Sequence, residues 1–459
     1  MLKKISILFS ALVFTATMMA SCEPVGGGET PELPKDSIPA ELQPLTQSVA
    51  VTNNWIFDTK PTITIHIENP NAVAVEAKVI AKITTDLKKA VTSIEKVVEV
   101  PANGTLDVPV TTPEDLAPGF YRAHCIVNNK GARTFNFGIS PEKIVSAPDK
   151  QPDFDEYWAA AKEQLAAIDM DAQLTELPTK STAKRKVYLV ELKSVPDSPD
   201  GEPVTVRGYY AEPQDGQKHP VILHFYGYDS QNATSWPPCP GGNESEYAEF
   251  FFSIRGQMLN NRAAANRVPD GKGDFVNIYG DWFAYNFGVK DGYYYRGAFM
   301  DCVQAVRFMA TRETSDMTQL FAEGSSQGGA LSYATAALSD YPFTAIAPCV
   351  AFLGDFPDYF NIVGWPAETA KANQGSMTDE EMYAFLSYFD TKNLATRISC
   401  AVIACSGLQD GTCPPHTNLA PYNNLLTEDK EMYYYPEMGH EIPGNWTSKI
   451  MAFFKARMK

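Results

Sequence analysis

The sequence predicts an α/β protein that carries an all-β domain ahead of it. From Asp153 onward, strand-like and helix-like segments alternate to the end of the 459-residue chain. Two of the strand-like runs, 220–225 and 400–404, are apolar on both faces, as parallel strands covered by helices must be. Between residues 47 and 140, by contrast, short alternating strands are separated by turn signals. The predicted boundary between the two domains therefore falls near residue 141.

The first 21 residues have the pattern of an export signal. Lys3 and Lys4 form a charged start, an apolar run covers residues 5–19, and two small residues precede Cys22. A cysteine in this position resembles the lipobox of bacterial lipoproteins, which implies Cys22 as the lipidated first residue of the mature protein. An ordinary secretory signal is the alternative. Residues 22–46 are rich in Gly, Pro, Glu and Thr and are predicted to be a flexible tether.

Charge and hydropathy limit the partners. The chain has 38 Lys and Arg against 55 Asp and Glu, a net charge of −17. This balance argues against a nucleic-acid partner and against electrostatic binding to anionic lipid. No apolar run beyond the signal is long enough to span a bilayer. We therefore expect an exported protein, in the periplasm or on the cell surface, that contacts a membrane only through the lipid on Cys22.

The cysteines show neither metal-ligand spacing nor the density of a disulfide scaffold. Seven of the eight lie beyond Cys22, scattered through the chain, so at least one is free or intermolecular. Most are expected to be small buried hydrophobic residues. No metal site and no cofactor are predicted.

Residues 47–140 are predicted to form a β-sandwich of immunoglobulin-like type. Its strand-like runs are 62–67, 74–79, 97–100, 105–110, 121–126 and 134–138. No catalytic residue is expected there. A plain spacer is the favoured interpretation, and a glycan-binding module is the alternative.

Residues 141–459 are predicted to form the α/β domain, which begins with a helix from Asp153 to Leu165. Further helices are expected at 297–311, 328–339 and 450–457. The predicted strands are 187–192, 204–210, 221–226, 250–254, 319–322, 343–347, 401–405 and 432–435.

One turn in this domain has the pattern of a catalytic nucleophile. Residues Gly324–Gly328 read G-x-S-x-G, with an apolar strand-like run before them and a helical run after them. A serine on so tight a strand-to-helix turn is held in strained geometry, with its hydroxyl exposed at the top of a sheet. Ser326 is therefore the predicted nucleophile. The alternative is a Gly-rich turn that only packs a helix on the sheet.

A serine nucleophile needs a base within hydrogen-bond reach and an acid that orients the base. In the α/β-hydrolase fold both follow the nucleophile, on loops after later strands. His440 follows the last strand-like run and is the predicted base, ahead of His416, which precedes a helical pattern. Asp410 directly follows the strand at 401–405 and is the predicted acid. Three other aspartates, which lack a buried strand immediately before them, are its rivals: Asp355, Asp358 and Asp390.

The same fold predicts an oxyanion hole made of two backbone N–H groups. One comes from the residue after the nucleophile, which is Gln327 here. The other comes from the loop after an early strand, which corresponds to His224–Tyr228. Tyr228 is the predicted second donor.

Five short motifs together resemble a known family. They are GSSQGG at 324–329, RGQ at 255–257, YYYR at 293–296, LQDGTCPP at 408–415 and GHE at 439–441. In combination they are similar to the acetyl xylan esterase and cephalosporin-C deacetylase family, carbohydrate esterase family seven, of α/β-hydrolase fold. The resemblance covers residues 151–459. Matched position by position, it implies Ser326, Asp410 and His440 as the triad and Tyr228 and Gln327 as oxyanion donors.

The chain departs from that family in three places. The lipid signal and the β domain are additions, the loop 258–290 after RGQ is unusual, and a Pro-Pro-Cys-Pro run lies at 237–240. The family forms a ring-like hexamer, so a homo-oligomer is left open. Arg255, a charge at the end of an apolar strand, is interpreted as a buried structural ion-pair partner.

The sequence thus predicts a surface-tethered serine esterase that removes acetyl groups from acetylated xylan, oligosaccharides or similar small acetyl esters. Two alternatives come from other classes: a serine peptidase of the prolyl-oligopeptidase type, and a non-catalytic glycan-binding lipoprotein. Against the peptidase, about 95 residues without a repeat cannot build a propeller. Against the non-catalytic protein, the serine, aspartate and histidine are all present.

Overall fold

The computed structural model describes residues 42–230, 239–240, 246–257, 259 and 277–459. The predicted signal peptide, Cys22 and most of the predicted tether lie outside the described residues. Residues 44–459 form one compact unit. In the described part of the chain, no helix has both the length and the apolar character needed to cross a membrane.

Residues 46–139, here called the N-terminal β region, form two sheets. The strands are β1 (Thr46–Val49), β2 (Ile56–Phe57), β3 (Thr62–Glu68), β4 (Val75–Thr85), β5 (Ala90–Val100), β6 (Thr105–Thr111), β7 (Gly119–Val127) and β8 (Lys130–Ile139). One sheet has the order β1-β3-β6 and the other β2-β8-β7-β4-β5. Alternate residues of both sheets, such as Ile65 on β3 and Val79 on β4, belong to one hydrophobic cluster. The predicted period-2 strands are thus present, while β1 and β2 were missed because each is too short to show alternation.

The solvent side of the larger sheet carries polar residues in register. Thr84 on β4 pairs with Arg122 on β7, which in turn pairs with Asn136 on β8. We call these three residues the Arg122 row. One pleat further along the same strands, Lys82 pairs with His124. Because side chains alternate between faces, both sets point away from the core of the β region.

The rest of the chain, here called the hydrolase region, is built on a nine-stranded sheet. Its strands are β9 (Gln173–Glu176), β10 (Arg185–Ser194), β11 (Val204–Pro213), β12 (His219–Phe225), β13 (Ala248–Ser253), β14 (Ser315–Ser325), β15 (Ala345–Cys349), β16 (Ala401–Gly407) and β17 (Lys430–Tyr435). The order is β17-β16-β15-β14-β12-β13-β11-β10-β9. Strands β12 to β17 pair in parallel, and β9 to β11 pair antiparallel at one edge. This mixed sheet, with its helical connections, has the arrangement of the α/β-hydrolase fold.

Nine helices of the described chain accompany this sheet. They are α1 (Phe154–Ala167), α2 (Tyr294–Ala310), α3 (Gln327–Leu338), α4 (Phe356–Ile362), α5 (Gly364–Asn373), α6 (Asp379–Leu386), α7 (Thr391–Ala395), α8 (Pro415–Asn423) and α9 (Trp446–Lys455). The central strands are buried on both sides, as their apolar runs predicted. Leu320 of β14 joins the cluster that contains α2 and α3, whereas Phe321 packs on Phe454 of α9 with ring centroids 4.6 Å apart.

The helices α4 to α7 were not predicted, whereas α8 corresponds to the helical pattern expected at His416. Each of the four missed helices has only 5 to 10 residues, too few for the helical period to be recognised. Helix α2 begins three residues earlier than predicted, at Tyr294. Its start is rich in tyrosine, a residue type that favours strands, but Tyr293, Tyr294 and Tyr295 are all buried in an aromatic cluster. Tertiary packing therefore overrides the local preference there.

Candidate active site

Ser326 lies between β14 and α3 with φ 59° and ψ −121°. This is a strained conformation for a residue with a side chain. Its N–H donates to the Cys349 carbonyl at 2.8 Å, and its carbonyl accepts from the Phe352 N–H at 3.0 Å. Two glycines make the turn possible: a Cβ on Gly324 would lie 2.5 Å from the Gly328 backbone, and one on Gly328 would lie 2.4 Å from the Phe225 oxygen. Only glycine fits at either position.

The predicted base and acid lie next to this serine. His440 Nε2 is 3.0 Å from Ser326 Oγ, and His440 Nδ1 is 2.8 Å from Asp410 Oδ2. The Asp410 side chain has no solvent exposure. Its other oxygen accepts from the N–H groups of Thr412 and Cys413, both at 2.8 Å. A carboxylate held in this way orients the ring and keeps a proton on Nδ1, which leaves Nε2 free to accept the serine proton.

The two predicted oxyanion donors lie on two segments that meet at Ser326. Gln327 is the first residue of α3, so its N–H has no partner inside the helix. A Cβ on Gly227 would be 3.9 Å from the Ser326 Cβ, so the turn that holds Tyr228 runs alongside the nucleophile. The Tyr228 hydroxyl donates to Asp281, and its ring packs on Trp282 and Trp365 at centroid distances of 5.0 and 5.2 Å.

Gln257 holds the turn that contains Tyr228 in place through hydrogen bonds to its backbone. Its side chain is fully buried, and its Nε2 donates to the carbonyls of Tyr226 and Gly227 at 3.2 and 3.0 Å. Holding these carbonyls sets the direction of the following N–H group, that of Tyr228. The RGQ motif contained Gln257, but no role was predicted for it. Its glutamine side chain at the end of a buried strand was the available signal, since a buried amide must find partners.

Arg255 is a structural residue, as predicted. Its side chain is 1% exposed, and its guanidinium bonds Asp301 at 2.7 and 2.9 Å and Asp197 at 2.7 Å. It also donates to the Val195 carbonyl at 2.9 Å. Burial alone would lower the pKa of this guanidinium, but the two carboxylates outweigh burial and raise it. The group ties β13 to α2 and makes no contact with the triad.

The N-terminal β region contacts the loops that carry the acid and the base. Asn136 Nδ2 donates to the Leu408 carbonyl at 2.9 Å, and the Asn136 N–H donates to Gln409 Oε1 at 2.8 Å. Arg133 pairs with Glu437 at 2.8 Å, three residues before the base. The spacer interpretation did not anticipate these contacts. They lie 272 to 304 residues apart in sequence, so no local pattern could show them.

With this geometry established, comparison with known proteins gives the family. Residues 142–458 match the family model described as acetyl xylan esterase, which covers more than half of the chain. The chain belongs to the acetyl xylan esterase family. It is 24% identical over 359 residues to acetyl esterase Axe7A of Xylanibacter ruminicola, covering 74% of this chain and 75% of that relative.

Solved structures agree with this acetyl xylan esterase assignment. The chain resembles the acetyl xylan esterase from Paenibacillus sp. R4 at 26% identity and acetyl xylan esterase 1 from Thermoanaerobacterium sp. JW/SL YS485 at 24% identity. For both, the TM-score is 0.57, and the match covers 69% of this chain and 98% of the other. The chain is therefore a carboxylic ester hydrolase of α/β-hydrolase fold, as predicted. The N-terminal β region precedes the part matched to the acetyl xylan esterase family.

The rival histidine, His416, lies in a separate acidic cluster. Its Nε2 is 3.3 Å from Asp355 and 3.1 Å from Asp358, and its Nδ1 is 3.2 Å from Asp86 of the N-terminal β region. Burial lowers the pKa of an imidazole, but these carboxylates outweigh burial and raise the pKa of His416 to about 11. His416 therefore joins the two regions as an imidazolium, and two of the rival acids are its partners.

Among the described residues, Asp355, Asp358 and His416 also come close enough to share a metal ion, with ligand atoms within 4.8 Å of one another. The cluster already contains cations of its own. The His416 imidazolium faces these carboxylates, and Lys392 Nζ lies 3.0 Å from the other oxygen of Asp355. The third rival acid, Asp390, accepts from the N–H groups of Asp355 and Phe356, and burial raises its pKa to about 7. None of the three rivals lies at His440.

Proposed function

We propose that this protein is an acetylesterase that removes acetyl groups from acetylated xylan or related saccharides. The observation that carries the proposal is the hydrogen-bonded chain Ser326–His440–Asp410 at a strained turn, in a member of the acetyl xylan esterase family. The names of the relatives, acetyl esterase and acetyl xylan esterase, support the choice of acyl group and of alcohol.

In the proposed reaction, Ser326 Oγ attacks the acetyl carbonyl as His440 Nε2 takes the hydroxyl proton. The resulting oxyanion accepts hydrogen bonds from the N–H groups of Gln327 and Tyr228. The tetrahedral intermediate then expels the sugar oxygen, which takes the proton from His440 and leaves as a hydroxyl. A water molecule then attacks the acetyl-serine as His440 Nε2 takes its proton, and His440 returns this proton to Ser326 Oγ as acetate leaves. Asp410 accepts the hydrogen bond from Nδ1 and stabilises the imidazolium.

The residues around the oxyanion turn support selectivity for a short acyl group. Tyr228 contacts Trp365, which stacks on Phe352 with centroids 5.3 Å apart, and Phe283 packs against both Trp365 and Phe352. Such rigid aromatic walls exclude a long chain by steric clash. One lost methylene contact is worth only about 1–3 kcal/mol, so exclusion is the stronger effect.

Nitrophenyl esters of increasing acyl length test this proposal. We expect acetate to be cleaved well, butyrate poorly and octanoate hardly at all, and acetylated xylo-oligosaccharides to release acetate. Faster cleavage of octanoate than of acetate would make the protein a lipase-like esterase. Cleavage of nitrophenyl acetate without release of acetate from any acetylated saccharide would reject the carbohydrate substrate.

We also propose that the protein is exported and held to a membrane by lipid on Cys22. The proposal rests on the charged start, the apolar run and the small residues before Cys22. Acyl chains on this cysteine would be the apolar anchor. Cys22→Ser should move the protein from the membrane fraction to the soluble fraction of cells, with nitrophenyl acetate turnover retained. Retention of that variant in the membrane fraction would refute the lipid anchor.

A further inference from the structure

A cavity of about 270 Å³ lies where the N-terminal β region meets the hydrolase region. Three segments of the hydrolase region form one wall: 362–363, 409–411 and 414–415. The other wall comes from the turn after β4 and from β7 and β8. It includes the whole Arg122 row, together with Asp86, Lys88 and Phe120. Half of this cavity is thus made by a part of the chain that precedes the match to the acetyl xylan esterase family.

The cavity borders the loop that carries the proposed acid. Asp410 is one of its lining residues, but the Asp410 side chain is fully buried against His440, and neither His440 nor Ser326 lines the cavity. Val363, on the same wall, is two residues before Trp365, which packs against Tyr228 of the oxyanion turn. The cavity is therefore bounded by the acid loop and by the segment that leads to Trp365.

The exposed charged side chains of this cavity are positive. Asp410 is buried and bonded to His440 and two N–H groups, and Asp86 is partly buried and shares the His416 imidazole with two other carboxylates. Lys88 and Arg122 are exposed, and neither forms an ion pair within the described residues. Arg122 has one long hydrogen bond, 3.5 Å, to Asn136 Oδ1. In a chain with a net charge of −17, two unpaired cations at one cavity are suited to an anion.

We propose that this cavity is a subsite for an acidic sugar, a residue with a carboxylate that is linked to the acetylated sugar. Arg122 and Lys88 bind the sugar carboxylate, because guanidinium and ammonium groups form charge-assisted hydrogen bonds with carboxylates. Ile362 and Val363, which are partly exposed, offer apolar surface to the C–H face of the sugar ring. The inference rests on the proposed acetylesterase function and adds a substrate class to it, acetylated acidic oligosaccharides.

The test compares two acetylated xylo-oligosaccharides of equal length, one with a uronic-acid residue next to the acetylated sugar and one without. For each protein, kcat/KM on both is divided by its kcat/KM on nitrophenyl acetate. Wild type should prefer the acidic substrate. Lys88→Gln and Arg122→Gln should each reduce this preference about tenfold through KM, the effect of one lost charge-assisted hydrogen bond. Raising the salt concentration should also raise KM for the acidic substrate alone.

Lys82→Gln is the matched control. Lys82 is an exposed lysine on the same face of the same strand as Thr84, one pleat away from the Arg122 row, and it does not line the cavity. This variant should retain the wild-type preference. If Lys88→Gln and Arg122→Gln lower the normalised kcat/KM equally on the acidic and neutral substrates, the cavity binds a neutral sugar and the proposal of an acidic sugar is wrong. An unchanged preference in both variants would overturn the subsite. Failure of the acetylesterase function itself would appear separately, as a wild type inactive on nitrophenyl acetate.

Discussion

Asn136 of β8 and Gln409, the residue before the proposed acid, exchange two hydrogen bonds. The Asn136 N–H donates to Gln409 Oε1 at 2.8 Å, and Gln409 Nε2 donates to the Asn136 carbonyl at 3.0 Å. The Gln409 side-chain amide thus bonds both backbone groups of Asn136, as the backbone of a neighbouring strand would. Its Nε2 also donates to the Pro436 carbonyl at 2.8 Å, four residues before His440. One amide therefore joins β8, the acid loop and the base loop.

The first prediction is that Gln409→Ala lowers kcat about 10- to 100-fold on nitrophenyl acetate with little change in KM. A small displacement of catalytic groups costs rate on this scale, whereas binding of a small ester does not depend on this amide. Asn423→Ala is the matched control. Asn423 also makes two side-chain hydrogen bonds to distant backbone, to the Pro141 and Ile144 carbonyls in the segment after β8, but it does not touch either catalytic loop. Equal kcat values for wild type and Gln409→Ala would show that the loops are held without the N-terminal β region.

The second prediction concerns the triad. Ser326→Ala should abolish turnover with the fold intact, and Asp410→Asn should reduce kcat about 10⁴-fold, because an amide favours the wrong imidazole tautomer. Asp358→Asn is the control, since Asp358 pairs with His416 and not with His440. Turnover on nitrophenyl acetate and circular dichroism spectra check these outcomes. If Asp410→Asn leaves kcat unchanged while Asp358→Asn abolishes turnover, the assignment of Asp410 as the acid is wrong.

The third prediction is a pH dependence of stability that comes from His416. Its pKa is about 11 in the folded chain, against about 6.5 when unfolded. The folded state therefore retains a proton that the unfolded state loses. The stabilisation is complete below pH 6.5 and disappears as the pH rises to about 11. Between these limits, the free energy of unfolding should fall by about 1.4 kcal/mol for each unit of rising pH because of His416.

Urea unfolding at pH 7.5 to 10 measures this slope. His416→Gln should have a flatter dependence than wild type throughout. His224→Gln provides the comparison, because burial lowers the pKa of His224 but its bonds to Glu249 and Glu323 raise it to about 9. The pH dependence of the free energy of unfolding of His224→Gln should differ from that of wild type only up to about pH 9. Parallel curves for wild type and His416→Gln would mean that His416 is not held as an imidazolium.

The fourth prediction follows from two thiols in neighbouring strands. Cys349 on β15 pairs in register with Cys405 on β16, and their sulfur atoms are 2.7 Å apart in the buried core. In an oxidising compartment we expect them to form a disulfide, losing two protons and two electrons to a thiol–disulfide oxidant. Alkylation of denatured, exported protein should then label five of the seven cysteines beyond residue 41. Labelling of all seven would show that the pair stays reduced.

Local patterns were sufficient to predict the sheet and the proximity of three side chains. The G-x-S-x-G turn, the apolar strands and the position of Asp410 and His440 after such strands are all short-range signals, and the structure brings these three side chains together. The identity of Arg255 as an ion-pair partner was also readable, because a charge at the end of a buried strand needs a counter-charge.

What could not be predicted depends on distant pairing. The roles of Asn136, Arg133 and Asp86 arise from partners in the hydrolase region, and neither a strand position nor a turn position gives a sign of so distant a partner. The short helices α4 to α7 were missed for a different reason. They are held by packing against one another and against α3, which periodicity over 5 to 10 residues cannot reveal.

The bond between Asn136 and Gln409 also has a consequence for how the chain matures. The two residues are 273 positions apart, so a polypeptide emerging from its N-terminal end completes β8 long before the acid loop exists. Long-range pairs of this kind form late, because closing a large loop costs entropy before the contact can stabilise the chain. The esterase site should therefore be among the last features to form during folding. A chain interrupted before residue 409 could then have an intact β region and a formed nucleophile turn, yet no catalytic activity.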